Sequence, residues 1–288
     1  MKFTRSAIRK NLSLLLYAIA GILILFLCLH FIFPLPAPPE FSTIITDNKN
    51  EIIHAYLTRD EKWRMKTEAD EISPLLKKTL IEKEDKYFYC HPGVNPLAML
   101  RALGKNIISG RRTSGASTIT MQVARALEPK SRTYFSKLTE IFRALQLECS
   151  YTKDEILLMY LNLLPYGGNI EGVKAAALIY FKKSPDHLSL AEITALSIIP
   201  NRPSSMVIGK NNDLIIESRN RWLKYFAQQK LFTNKEITDA LEEPLTAQRG
   251  TLPAMLPHLS FQLKKNGGTL IHTTIDLNKQ QKLETDIH

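Results

Sequence analysis

Two adjacent carboxylates, Glu84 and Asp85, open the string EDKYFYCHPG at residues 84–93, with Phe88, His91, Pro92 and Gly93 after them. A helix ending at His91 places Glu84 and His91 two turns apart on one face, and Pro92 and Gly93 then stop that helix and open a loop. Taken alone, a Glu-Asp pair is more often a solvated helix surface, because charged residues are usually exposed. A second string, RRTSGASTITMQVAR at 111–125, sets two arginines, a glycine and four hydroxyl residues directly before a helical apolar run. Hydroxyls and backbone N–H groups at a helix start, with arginine nearby, suit an oxyanion such as phosphate. The segment also fits an ordinary N-capping loop, and it lacks the glycines and trailing Gly-Lys-Ser/Thr of a P-loop. In SKLTEIFRALQLE, residues 136–148, the three-residue spacing of Lys137 and Glu140 lets both reach one face of an amphipathic helix.

Helices must carry these groups. Apolar residues recur at three and four spacing over about 73–90, 95–109, 116–128, 135–148, 153–163, 170–181, 189–199 and 213–229, which predicts a mainly α-helical domain. Ser73 before Pro74 reads as an N-cap with proline in the first turn, and Ser189 with Glu192 reads as a capping box. A Pro-Tyr-Gly-Gly break at 165–168 separates two helices, and Ala175–Ala177 in the second are small enough for a closely packed core. Before this domain, residues 43–58 place a polar DNKN turn between two β-branched stretches, the pattern of a hairpin. After about residue 245 the periodicity is lost, and residues 267–288 read as a strand followed by the start of a helix.

Residues 12–33 form an apolar run of 22 without Asp, Glu, Lys or Arg, and about 20 such residues suffice for a helix to cross a bilayer. The run is too long for the core of a cleaved signal peptide, and no small-x-small site follows it. Lys2, Arg5, Arg9 and Lys10 precede it, which predicts a cytoplasmic N-terminus and an outward-facing remainder. The expected division is a cytoplasmic tail at 1–11, a transmembrane helix at 12–33, a proline-rich linker and hairpin at 34–60, a main domain at 61–240, and at 241–288 a linker with the start of a truncated second domain. A net charge of +10 favours an anionic partner. Nucleic acid is excluded by the outward orientation and the lack of a recognition motif. Cys28, Cys90 and Cys149 show no CxxC spacing, so neither a zinc site nor a disulfide framework is indicated.

In order along the chain, EDKYFYCHPG, SGASTITMQ, KLTE, KDEILLMYLN with YGGNIEGVKAAALIYFKK, and LSLAEITALSIIPNRPS resemble the five successive motifs of the family 51 peptidoglycan glycosyltransferases. These are the polymerase modules of class A penicillin-binding proteins, and HPGVNPLAMLRAL and STITMQVARAL are most similar to their 1C subgroup. The resemblance covers about residues 75–225. It implies a lysozyme-like helical domain behind an uncleaved anchor in the inner membrane, facing the periplasm and dipping into the outer leaflet. The implied substrates are lipid II and the nascent glycan strand, with the bilayer and cell-wall synthesis proteins as further partners.

The implied reaction is inverting transfer: a sugar 4-hydroxyl attacks the anomeric carbon of a second unit and expels undecaprenyl pyrophosphate. A hydroxyl needs a base to take its proton as it attacks, and the motif match assigns that role to Glu84. The leaving pyrophosphate is already a stable anion, so cations serve it better than an acid. Lys137 and Arg125, helped by Arg111 or Arg112, are the matching cations. Glu140, the second catalytic carboxylate, orients them or binds a metal. Asp85, His91, Ser117, Thr118, Gln122 and Lys183 complete the implied substrate site. No cofactor is required, although the resemblance admits a divalent cation, Mg or Mn.

Three positions depart from the family pattern: Ser136 replaces the arginine of an Arg-Lys pair, Leu158 a frequent glutamate, and Lys182 the glycine of Tyr-Phe-Gly-Lys. The Ser-x-x-Lys string at Ser150–Lys153 has no Ser-x-Asn or Lys-Thr-Gly companion, so transpeptidation and covalent penicillin binding are not expected. Two rival readings remain at this level. One is a weakened or inactive membrane-bound scaffold, supported by Ser136. The other is a lytic transglycosylase or lysozyme-like hydrolase, which shares the fold type and a catalytic glutamate.

Overall fold

A computed structural model of the chain describes residues 5–109, 117–131, 133–265, 267–280 and 282. Residues Met1–Ala37 and Pro38–His288 form two separate compact units. The first is built on α1 (Arg5–Ile32), whose segment Ser13–Ile32 has a mean hydropathy of 2.6 and no residue buried inside the protein, long and apolar enough to cross a membrane.

The second unit begins with the expected hairpin. Strands β1 (Ile44–Thr46) and β2 (Ile52–Ala55) pair antiparallel, with Ile44 opposite Ala55. The turn holds because Asp47 Oδ1 accepts the N–H groups of both Lys49 and Glu51 at 2.8 Å, while Asn50 adopts φ 66°. A short β3 (Trp63–Arg64) follows, and buried Arg64 donates to Glu171 and Asp60.

The helices then come in close succession: α2 (Pro74–Glu84), α3 (Pro96–Ser109), α4 (Ile119–Leu127), α5 (Tyr134–Ser150) and α6 (Lys153–Leu163). Their starts are dictated locally. The hydroxyls of Ser73, Thr118, Thr133 and Thr152 each accept the backbone N–H three residues on, satisfying a donor that the first turn leaves without a partner.

Past α6 the chain differs from the expected helix at 170–181. Ile170–Glu171 form β4, which pairs parallel with β3; α7 (Val173–Ala176) then passes into a π-helical turn at Ala177–Phe181. Gly172 separates strand from helix at φ 86°, and a Cβ there would lie 2.9 Å from the Asn162 carbonyl oxygen. Ala175–Ala177 are fully buried, as their size predicts.

The π turn ends at Lys182, which departs from the glycine of the resembled motif and sits in the left-handed region at φ 56°, ψ 34°. Its side chain is exposed, so little packing is lost with it. Lys182→Gly is expected to stabilise the fold by about 0.5–1 kcal/mol, the relief of the Cβ clash exceeding the added freedom of the unfolded chain. A thermal-melt comparison checks this, and a lowered midpoint rejects it.

Helix α8 (Leu190–Ile198) is buried along its whole length and packs on α2 and α9 (Asn212–Gln228). Leu190, Ala191, Leu223 and Phe226 form a core with Ile237 and Ala240 of α10 (Asn234–Glu242). Helix α10 lay outside the predicted set, although Thr233 and Glu236 make a complete capping box legible in the sequence. A further helix, α11 (Pro257–Lys265), falls where periodicity was lost. Strand β5 (Leu270–His272) matches the expected strand, and it joins the hairpin by pairing parallel with β1 to give the order β2-β1-β5.

Candidate active site

The helix carrying Glu84 does not continue to His91, contrary to the sequence expectation: Glu84 is the last residue of α2, Asp85 is its C-cap, Phe88–Cys90 form a 3₁₀ turn, and His91 is extended. Glu84 and His91 therefore do not share a helix face. The physical reason is tertiary. Asp85 turns inward, where its Oδ2 accepts the N–H of Ile119 at 3.0 Å and both carboxylate oxygens lie 3.0 Å from His91 Nε2. Phe88 is completely buried. Nor is the pair solvated, since the Glu84 and Asp85 side chains are 8% and 5% exposed.

The loop that follows is locked at several points. Lys153 Nζ donates to the His91 carbonyl and to Glu148, both at 2.7 Å, and lies 4.5 Å from the centre of the Phe88 ring. Thr120 donates to the same Glu148 carboxylate, and Thr118 Oγ1 donates to the Gly93 carbonyl at 2.6 Å. Gly93 adopts φ 82°, and a Cβ there would lie 2.7 Å from Glu148 Cγ. Lys153 of the Ser150–Lys153 string thus holds the loop in place.

Helix α4 organises the chemistry. Gln122 Nε2 donates to Glu84 Oε2 at 3.1 Å. One turn on, Arg125 Nε and Nη2 donate to the two oxygens of Glu140 at 2.6 and 2.9 Å. Residues three apart lie on one face of a helix, so a single face of α4 serves both carboxylates, one from α2 and one from α5. Lys137 Nζ reaches Glu140 Oε2 at 2.9 Å and Ser117 Oγ at 2.7 Å, and Arg125 Nη2 also donates to Ser117 Oγ. Two cations, a carboxylate and a hydroxyl therefore converge at the start of α5.

Electrostatics keep these groups in defined states. Burial by itself raises the Glu140 carboxyl, but hydrogen bonds from Arg125 and Lys137 outweigh it and hold the carboxyl below its ordinary range. The same contact with Glu140 raises the Arg125 guanidinium above its usual value. Around Glu84, burial first and then the carboxylate's own charge push the hydroxyls of Tyr160 and Tyr166 upward, so both remain neutral.

Among the predicted site residues, Glu84, Gln122, Arg125, Lys137, Glu140 and Ser117 meet around α4, with Asp85, His91 and Thr118 forming the loop and helix cap behind them. Lys183 instead pairs with Glu192 of the α8 capping box at 2.8 Å. Arg111 and Arg112 lie outside the described residues. Ser136, where the family has arginine, donates to the Ser131 carbonyl at 2.6 Å and so belongs to the α5 cap.

Two contacts of Glu84 escaped sequence reasoning: Asn201 Nδ2 donates to Oε1 at 3.1 Å, and Lys83 is ion-paired with the same oxygen. Asn201 lies in the quoted string LSLAEITALSIIPNRPS, and only the fold brings it to a carboxylate 117 positions away. Among the described residues no three His, Cys, Asp or Glu side chains cluster to hold a metal ion. Both Glu140 oxygens are engaged by Arg125 and Lys137.

Relatives carry the same segment. The chain is 38% identical over 226 residues to penicillin-binding protein 1C of Escherichia coli (strain K12), covering 78% of this chain and 29% of that protein. It is 34% identical over 236 residues to penicillin-binding protein 1A of the same organism, covering 77% and 28% respectively. A crystal structure of penicillin-binding protein 1A from Haemophilus influenzae aligns with 84% of this chain and 28% of its own at a TM-score of 0.42 and 19% identity. The chain spans less than a third of the length of these relatives. The transglycosylase family model matches residues 48–227, well over half of the chain and all of the site just described, so the chain belongs to that family, the family 51 glycosyltransferases.

Proposed function

We propose that this chain polymerises lipid II into peptidoglycan strands by inverting transfer, releasing undecaprenyl pyrophosphate. The observation that carries the reading is the placement of two differently dressed carboxylates along one face of α4. Glu84 is held by neutral amides from Gln122 and Asn201 together with one ammonium, Lys83. It takes the proton of the attacking sugar hydroxyl. Glu140 is saturated by Arg125 and Lys137 and acts through them, fixing two positive charges where the pyrophosphate departs. The Ser117 hydroxyl, touching both cations, adds a donor for anionic oxygens. No step runs through a divalent ion.

Helix α1 anchors the chain in the inner membrane, with basic residues at 2–10 keeping the N-terminus inside and the catalytic unit in the periplasm. Leu97, Leu100 and Ile108, all exposed on α3, suit contact with the bilayer that holds the lipid substrate. The nascent glycan strand is the second substrate, and cell-wall synthesis proteins are the partners expected at the membrane.

The test is incubation of the detergent-purified chain with labelled lipid II and, separately, with finished glycan strands, products being sized on a gel. Ladders from lipid II with intact strands in the second reaction support the proposal. Shortened strands without ladders transfer the assignment to a lytic enzyme, and no change in either leaves a non-catalytic scaffold.

A further inference from the structure

Lys83 occupies an unusual place for a lysine. Its side chain is 2% exposed, and a buried ammonium is costly unless it is paired. Two groups compensate it. The Glu84 carboxylate forms the ion pair, and the Trp222 ring lies 5.5 Å from Nζ, within reach of a cation–π contact. Trp222 belongs to α9 and packs against Tyr225 and Phe226, so Lys83 ties the carboxylate to the aromatic side of the α8–α9–α10 core.

The groups facing Glu84 come from every surrounding element. Lys83 stands on its own helix, Gln122 on α4 and Asn201 after α8, while Tyr160 of α6 and Tyr166 beyond it are neutral. Asp85 beside it is engaged by His91 and the Ile119 N–H. The cations Arg125 and Lys137 bind Glu140. The positive charges of the site are thus divided, with Lys83 serving Glu84 and the other two serving Glu140.

We propose that Lys83 is a positioning residue for Glu84, aiming the carboxylate through an ion pair buried against Trp222. The proposal rests on the reading of Glu84 as the base. An ammonium beside a carboxylate is held to it by charge and hydrogen bonding together, so Lys83 fixes where Glu84 Oε1 points. A neutral side chain of similar volume removes that contact without emptying the space.

The test combines two measurements on Lys83→Met, Lys83→Arg, Glu84→Gln and the Lys83→Met/Glu84→Gln double variant. The first uses no substrate. Glu84→Gln should lower the thermal midpoint by leaving the ammonium buried without its counter-charge, and adding Lys83→Met should recover it. The second is the steady-state kinetics of polymerisation. In Lys83→Met kcat should fall by about tenfold or more at an unchanged KM, whereas Lys83→Arg keeps the charge and restores kcat. Additive midpoints together with an unchanged kcat in Lys83→Met overturn the proposal and make Lys83 a packing residue. A wild type that makes no glycan overturns the proposed function instead, a result separable because the midpoints are read without substrate.

Discussion

Glu84→Gln is expected to lower kcat for the proposed glycan polymerisation by about 10²- to 10⁴-fold, the range expected when a positioned proton acceptor is removed. The substitution keeps the shape of the side chain and one acceptor oxygen, but an amide cannot take the proton of the attacking hydroxyl. It also introduces an NH₂ group where Gln122, Asn201 and Lys83 all present donors. One of those contacts becomes donor against donor. The loss should fall mainly on kcat, because proton transfer develops in the transition state and contributes little to ground-state binding. Glu84→Asp retracts the carboxylate by one methylene and should give an intermediate rate. A Glu84→Gln enzyme within tenfold of wild type removes Glu84 from the role of base.

The second large effect belongs to the cations. Lys137→Met is expected to lower kcat by about 10²- to 10³-fold, the usual cost of deleting one preorganised group that faces developing charge. Lys137 and Arg125 share Glu140 and Ser117, so they are held in place before the pyrophosphate begins to leave. With Ser136 committed to the α5 cap, no arginine at that position supplies a substitute. Steady-state kinetics on labelled lipid II decide the matter: a raised KM at unchanged kcat makes Lys137 a binding residue with no part in the chemical step.

The same cluster predicts a pH effect on stability. Because the Glu140 carboxyl is lower in the folded chain than in the unfolded one, its ion pairs stabilise fully above the ordinary glutamate range. That contribution disappears as the pH falls through the lowered value. The gap in thermal midpoint between wild type and Glu140→Gln should therefore narrow on acidification. A gap that is constant with pH shows that charge at Glu140 does not contribute to stability.

Several parts of this molecule follow from residues within a turn of one another. Ser73 with Pro74, and Ser189 with Glu192, mark helix starts because their partners are three residues away or fewer. The DNKN turn closes on Asp47 for the same reason, and Lys137 meets Glu140 through helical spacing alone. The apolar run of α1 is legible from composition, since the length needed to cross a bilayer is a fixed quantity. The ordered motifs likewise identified the family that the model match over residues 48–227 shows.

Partner choice at long range followed another rule. The periodicity at 73–90 gave no sign that α2 stops at Glu84, because the stop depends on Asp85 meeting the Ile119 N–H and on Phe88 being buried. Nothing local selects Glu140 for Arg125, which has Glu128 three residues along the chain, yet packing of α4 on α5 brings Glu140 within 2.6 Å. Asn201, Lys83 and the pairing of β5 with β1 are decisions of the same kind. The sequence by itself determined most of the helices, several of their caps and the candidate span, because those rest on interactions a few residues long. Only the tertiary structure decided which donors face Glu84 and which face Glu140, because a buried charge takes whichever partner the packed helices bring to it.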